Sequence, residues 1–331
     1  MSSVTGAAFG ELFLAHPDLF PARRAGDPWG SEAVMVDLAG GPYRFAGLCE
    51  SQAQTLRRRF ADLQVDPSSR DDAVEIGIFR ADPRELLDVE LNGWEYTFDR
   101  DYLPTAVRVA GLRFLGRIDW LPPVAHPRLV GTLWTPEVAD GELGRSFFQS
   151  QIENFFRLVV AYRLLEAGGA LLHSAGIAIG DPNDEVGHLF FGHSGAGKTT
   201  ISRLALDAGH TVLSDDMNAI APGADGRPWI ERLPFAGDLC RTPSPRRRYP
   251  LASLCRLRQG ANAIDRLSSA HAIARLVACA PFVNVDPHRV ERLTNNLETL
   301  ARTVGVHRLT FRKDGSFWPL IDGLAPATDE T

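Results

Sequence analysis

No two cysteines in this chain stand at C-x-x-C spacing. The four present, Cys49, Cys240, Cys255 and Cys279, are scattered through 331 residues. That argues against zinc ribbons and dithiol redox motifs, and predicts reduced thiols in a cytoplasmic protein rather than a disulfide frame. Long apolar runs are also missing. The stretch Phe155 to Leu172 is interrupted by Arg157, Arg163, Glu166 and two glycines, so it is not a membrane span. No basic segment followed by an apolar run opens the sequence, and no secretory signal is expected. Positive charge is not in excess: 35 Lys and Arg stand against 41 Asp and Glu, a formal net charge of −6. Neither nucleic acid nor an anionic membrane is therefore expected as the main partner. What remains is an ordinary globular composition, 44% hydrophobic and 23% charged, long enough for two domains.

Residues 1–144 read as a β-rich α+β domain, assigned to substrate recognition from its position alone. Alternation around Asn92-Gly93, around Ala110-Gly111 and through "AVMVDLAGGPYRFAG" predicts three hairpins. Ser51 and Gln54 suggest a capping box for one helix running through "TLRRRFADL". Residues 145–331 read differently. Apolar residues at helical spacing lead to Gly168-Gly169, a helix stop. A hairpin, "ALLHSAGIAIGDPNDEVGHLFFG", then leads into a glycine-rich turn. Later come a helix from Ser269 to about Ala280, a second helix capped by Asp286 with Pro287 at its first position, and a last hairpin turning at Asp314-Gly315.

The chemistry concentrates between Leu189 and Ile220. Gly192, His193, Ser194, Gly195, Ala196, Gly197, Lys198 and Thr199 fit G-x-x-x-x-G-K-[ST], the phosphate-loop or Walker A pattern, and Thr200 follows. Glycines let the backbone curl and aim N–H groups at an anion, and the helix start beyond them adds its dipole. Lys198 supplies a charge to nucleotide phosphates and Thr199 a hydroxyl to Mg²⁺. The competing reading, a chance glycine-rich turn, fits less well with an apolar run before the motif and an amphipathic pattern after it. "HTVLSDD" then reads as a strand ending in two carboxylates, 17 residues beyond Lys198. Asp215 and Asp216 are candidates to hold the metal and to take a proton from an attacking hydroxyl. The bland alternative is that Asp216 caps a turn.

His173 in "LLHSAG", the loop "GHSGAGKTT" and the closely following "SDD" together resemble the catalytic domain of HPr kinase/phosphorylase. They are still more similar to HPr-kinase-like proteins that phosphorylate serine on peptides or small molecules, lasso-peptide kinases included. The core is shared with phosphoenolpyruvate carboxykinase. The resemblance is specific over about residues 170 to 220 and looser beyond. It implies an α/β phosphate-loop kinase domain over 145–331, with ATP or another nucleoside triphosphate and Mg²⁺ as cofactors. It gives the loop to the nucleotide, Asp215 or Asp216 to general-base work, and His173 a place beside the phosphates. Thr200 stands where bacterial HPr kinases carry an acid, and their "EIRGLG"-type signature is absent, so HPr itself is not implied as acceptor. "WIERLPFAGD" lies roughly where that signature would act, which makes Glu231 a candidate metal ligand and Arg232 a candidate charge stabiliser.

Arg241, Arg246, Arg247 and Arg248 form a basic, proline-studded run that either grips phosphate or an acidic substrate, or is a solvated loop. The expectation is thus a Mg-dependent kinase, with serine on a peptide or protein, or a small-molecule hydroxyl, as acceptor. A phosphoenolpyruvate carboxykinase-like enzyme and a non-catalytic nucleotide-binding regulator are the alternatives. Neither the donor base nor a homo-oligomeric state is legible.

Overall fold

The computed structural model describes residues 26–66, 72–86, 99–123, 128–137, 141–181, 183–235 and 246–324. The chain is a mixed α/β protein that divides into two units, Met1–Val159 and Val160–Thr331. The hairpin expected at Asn92-Gly93 and the candidate Arg241 lie outside the described residues.

The first unit is built on one mixed sheet. Its strands are β1 (Glu32–Leu38), β2 (Gly41–Leu48), β3 (Val74–Arg80), β4 (Asp99–Leu103), β5 (Ala106–Gly111), β6 (Phe114–Leu121) and β7 (Arg128–Thr135), in the order β1-β2-β3-β7-β6-β5-β4. Two of the expected hairpins form. β1 returns into β2 through Ala39-Gly40, with Gly40 at φ 86°. β5 returns into β6, but the turn sits at Leu112-Arg113 rather than at Ala110-Gly111, with Arg113 at φ 52°.

Helix α1 (Glu50–Arg59) is capped two residues earlier than expected. Cys49 is the N-cap, and its N–H donates to Gln52 Oε1 at 3.1 Å; Ser51 and Gln54 lie inside the helix. Helix α2 (Glu142–Glu166) runs through the division between the units. Within the first unit it buries Phe155 and Phe156. A Cβ at Gly116 would stand 2.5 Å from the Phe155 ring and one at Gly131 3.3 Å from it, so these strand glycines leave the slot the ring fills. Phe156 meets Tyr43, Phe45 and Phe60 edge-on, with centroids 5.0, 5.0 and 5.8 Å away.

The second unit starts where α2 stops. Gly168 adopts φ 79°, Gly169 N–H donates to Leu164 O and Gly168 N–H to Leu165 O, which is the Schellman geometry that the Gly-Gly pair predicts. Strands β8 (Ala170–Ile179) and β9 (Val186–Phe191) make the expected hairpin. β10 (Thr211–Ser214) and β11 (Met217–Pro222) run in line, antiparallel to the two halves of β8. β12 (Pro228–Arg232) pairs with β11 and with β13 (Arg248–Gln259), and β13 lies parallel to β9. The pairings β8, β9, β13, β12, β11 and back to β8 close a circuit. Ile230, fully buried, fills the space in front of two glycines on it. A Cβ on Gly187 would stand 2.1 Å from Ile230 Cγ2, and one on Gly176 3.0 Å from its Cδ1.

Beyond the circuit β13 pairs in parallel with β15 (Val306–Phe311), which pairs with β14 (Ala263–Arg266). Helix α3 (Lys198–Asp207) packs on β8 and β10, where its Ile201 and Ala205 join Ile177, Phe190, Cys255, Leu257 and Phe311. Helix α4 (Ser269–Ala278) packs on β15 and on helix α5 (Val290–Val304).

Two expected elements are corrected. The second late helix starts at Val290, not at Asp286. The fully buried Asp286 carboxylate instead accepts from Tyr162 Oη at 3.0 Å, from Arg289 at 2.9 Å and from the His288 N–H at 2.9 Å, which holds residues 286–289 in a turn before the helix. The chain also does not return as a hairpin at Asp314-Gly315. β15 is already paired on both sides, so no strand edge is open to a returning chain. Instead a short helix, α6 (Trp318–Asp322), tucks Trp318 and Ile321 into the α3 core.

Candidate functional site

The glycine-rich turn joins the end of β9 to the start of α3, and each of its glycines has a visible reason. Gly195 and Gly197 take φ 76° and 113°, backbone that side chains rarely tolerate. A Cβ on Gly197 would meet the Phe311 ring at 2.8 Å, and one on Gly192 would meet Ala196 Cβ at 2.6 Å. Gly197 is the N-cap of α3 and has no side chain to bond the helix's first donors. Lys198 folds back over the loop, Nζ to Gly192 O at 3.3 Å, and Gln259 from the end of β13 donates to Gly195 O at 3.2 Å. His193 and Ser194 are exposed at the tip, with His193 Nδ1 2.5 Å from Ser194 O. Thr199 and Thr200 are half-buried in the first turn of α3. This is a cradle of N–H donors with a lysine at its lip, and an anion such as a phosphate fits it.

The aspartates sit at the bend between β10 and β11. Ser214 makes that bend: its Oγ accepts from the Asp216 and Met217 N–H groups, both at 3.2 Å. Asn218, fully buried, ties the bend to β8 by donating to Ser174 O at 2.8 Å and to Ser174 Oγ at 3.0 Å. The Ser174 N–H donates to Asp216 O at 2.9 Å. Asp215 turns inward and is 6% exposed, whereas the Asp216 side chain keeps 25% of its surface open. The β8–β11 pairing sets His173 beside them, with His173 Nε2 3.6 Å from Asp216 Oδ1.

Charge links the two halves of the site. Burial lowers the His173 pKa, the Lys198 charge lowers it further, and Asp216 and Asp215 oppose both. Burial also lowers the Lys198 pKa, against the pull of Cys279 and Asp216. Thus Lys198 and both aspartates act on His173, and Asp216 also acts on Lys198. The side chains that could hold a Mg²⁺ are Thr199, Asp215 and Asp216, with phosphate oxygens and water completing its shell. That suits a cation that dehydrates reluctantly and rarely takes an all-protein cage. Among the described residues no group of three or more His, Cys, Asp or Glu side chains could hold a metal by itself.

Cys279 belongs to this site too, and the sequence gives no hint of it. It caps the end of α4, and its carbonyl accepts the His173 N–H at 2.8 Å. Burial pushes its thiol pKa up, while Lys198, a backbone hydrogen bond with Gly192, Arg256 and Arg275 pull it down. The chain then leaves through a strained turn. Phe282 sits at φ 71°, ψ −55°, between Pro281 O and the Val283 N–H at 2.8 Å, the geometry of a rare γ-turn.

The remaining described candidates lie on β12 or at and just before the start of β13. Glu231 is fully buried and ion-paired with Arg248 at 2.6 Å and Arg247 at 3.2 Å, so its carboxylate is engaged by guanidiniums. Its neighbour Arg232 is half-buried, with its N–H on Arg247 O at 3.0 Å. Arg246 stacks on Tyr249, 5.0 Å from the ring centroid, and reaches Asn183 O at 3.5 Å. No helix among the described residues is long and apolar enough to cross a membrane. A scan of protein-family models finds no match to the chain, and a search of curated proteins likewise finds none.

Proposed function

We propose that the chain is a Mg²⁺-dependent kinase of the HPr-kinase type, transferring the γ-phosphate of a nucleoside triphosphate to a hydroxyl, with serine on a peptide or protein as the acceptor class. What carries the reading is the meeting of the glycine-rich loop with a half-exposed acid: Asp216 lies 3.6 Å from His173 and within the field of Lys198. In this reading the loop N–H groups from Gly192 to Thr199 hold the phosphates, and Lys198 neutralises the group in transfer. Thr199 and Asp215 would hold Mg²⁺, which supplies charge neutralisation between the phosphates when bound.

Asp216, the more open carboxylate, accepts the proton of the attacking hydroxyl. A new oxygen–phosphorus bond forms to the γ-phosphorus as the bond to the bridging oxygen breaks, and the nucleoside diphosphate leaves. His173, its side chain 49% exposed and its pKa held below the ordinary value by partial desolvation and by Lys198, orients that carboxylate and the incoming hydroxyl. The chemistry is mostly positioning and electrostatics.

The test is phosphate transfer from labelled ATP to a panel of serine-containing peptides. Asp216→Asn should lower turnover by about a hundredfold or more, with affinity for a non-hydrolysable ATP analogue nearly unchanged. Wild-type rates in both Asp215→Asn and Asp216→Asn would refute the base assignment.

A further inference from the structure

Strand β13 carries two arginines on its way to the loop. Arg256 and Arg258 alternate with Cys255 and Leu257, and those two face the α3 core, so the arginines project from the opposite side of the sheet. Register places Arg256 opposite Phe191, the residue just before Gly192, on one side, and opposite Arg308 on the other. Helix α4 packs on β15 and brings Arg275 to the same side. Its last turn leads to Cys279, at the loop. The two ends of this group are therefore tied to the site: Gln259 bonds Gly195, and Cys279 bonds the His173 backbone.

Among the described residues, no acid pairs with the three arginines at the centre of this group. Arg308 is paired with Asp265 at 2.7 Å. Among the described residues, Arg256, Arg258 and Arg275 have neither an ion pair nor a side-chain hydrogen bond, whereas Arg246, Arg247 and Arg248 each meet an acid or a ring. Burial first, and then the charges of Arg275, Arg308 and Arg258, hold the Arg256 pKa below its ordinary value, with Cys279 opposing them. The chain as a whole carries six more acids than bases, so this local excess of positive charge stands against the overall balance.

We propose that Arg256, Arg258 and Arg275 form a second anion-binding surface, continuous with the glycine-rich loop, that takes carboxylate side chains flanking the serine of an acidic acceptor peptide. The substrate class rests on the kinase reading above. Guanidiniums bind carboxylates through two parallel hydrogen bonds, so three of them select acidic flanks over neutral ones and set the serine's approach to the loop.

The experiment uses the full chain with Mg²⁺ and a non-hydrolysable ATP analogue. Two fluorescein-labelled peptides are titrated, one with a serine among glutamates and one with glutamines in their place. The glutamate peptide should bind about tenfold tighter or more at low salt, and the preference should shrink as added salt shortens the screening length. Arg256→Gln/Arg258→Gln/Arg275→Gln should abolish the preference and leave analogue affinity intact. If that variant does not fold, Arg258→Gln/Arg275→Gln, changing only exposed side chains, should still remove most of it.

Equal affinity for the two peptides, or a preference that survives the substitutions, overturns the proposal. A parallel loss of analogue affinity overturns it as well, because it assigns the arginines to the nucleotide. Arginine-dependent binding with no transfer from ATP would keep the surface and sink the kinase reading. Transfer to both peptides at equal rates and affinities would do the reverse.

Discussion

His188 shows how one side chain makes stability depend on pH. It is 1% exposed on β9, with Nδ1 2.8 Å from Ser253 Oγ, and burial, with a smaller push from His210, lowers its pKa to about 3. The folded state thus keeps the ring neutral, while the unfolded chain protonates it near the ordinary value of 6.5. Between those two values the unfolded state binds more protons, so stability falls as pH drops below 6.5 and is fully present above it. Urea unfolding near pH 5 should show a loss of about 2 kcal/mol relative to neutral pH. His188→Asn should flatten that slope; an unchanged slope would assign it to other groups.

At the scale of elements, the bend between β10 and β11 and the strand circuit carry separate predictions. Ser214→Ala removes the acceptor for two N–H groups at the Asp216 bend, at a cost of about 1–3 kcal/mol. Phosphate transfer should fall by more than nucleotide affinity, because the bend aims Asp216 and not the loop. An equal fall in both would show that the bend also shapes the loop. Gly187→Ala would drive a methyl to 2.1 Å from Ile230 Cγ2, and it should destabilise the second unit by about 1–3 kcal/mol in urea unfolding. Pairing it with Ile230→Val should recover part of that loss. No recovery would mean that the strain lies in the backbone.

The same scale shows what local pattern encodes. The hairpins at Ala39-Gly40 and between β8 and β9, the Schellman stop at Gly168 and the loop before α3 were legible because glycine position and alternation act over a few residues. The start of α5 was not. Asp286 looks like a helix cap, but its carboxylate is drawn to Tyr162 and Arg289, and no local pattern reveals a partner more than a hundred residues away.

For the whole molecule, a ligand bound only by the folded chain must raise its stability. A Mg²⁺–ATP analogue at about one hundred times its dissociation constant should add about 2.7 kcal/mol, an upward shift in Tm of about 5–10 °C for a unit of this size. Lys198→Met should reduce that shift, and Asp216→Asn should keep it. An absent shift in the wild-type chain would remove the nucleotide from the account altogether.

Sequence alone determined the loop from Gly192 to Thr199, the strand that stops just before Asp215-Asp216 and the mixed α/β character, because each is written in residues close together along the chain. Tertiary structure decided which of the scattered polar residues reach that loop. Parallel pairing of β13 with β9 and β15 has no turn to announce it, yet it sets Arg256 beside the residue before Gly192. The same fold brings Cys279 to His173 and engages Glu231 with two arginines. Those contacts join residues far apart in the chain, where only the packing of whole strands and helices fixes who meets whom.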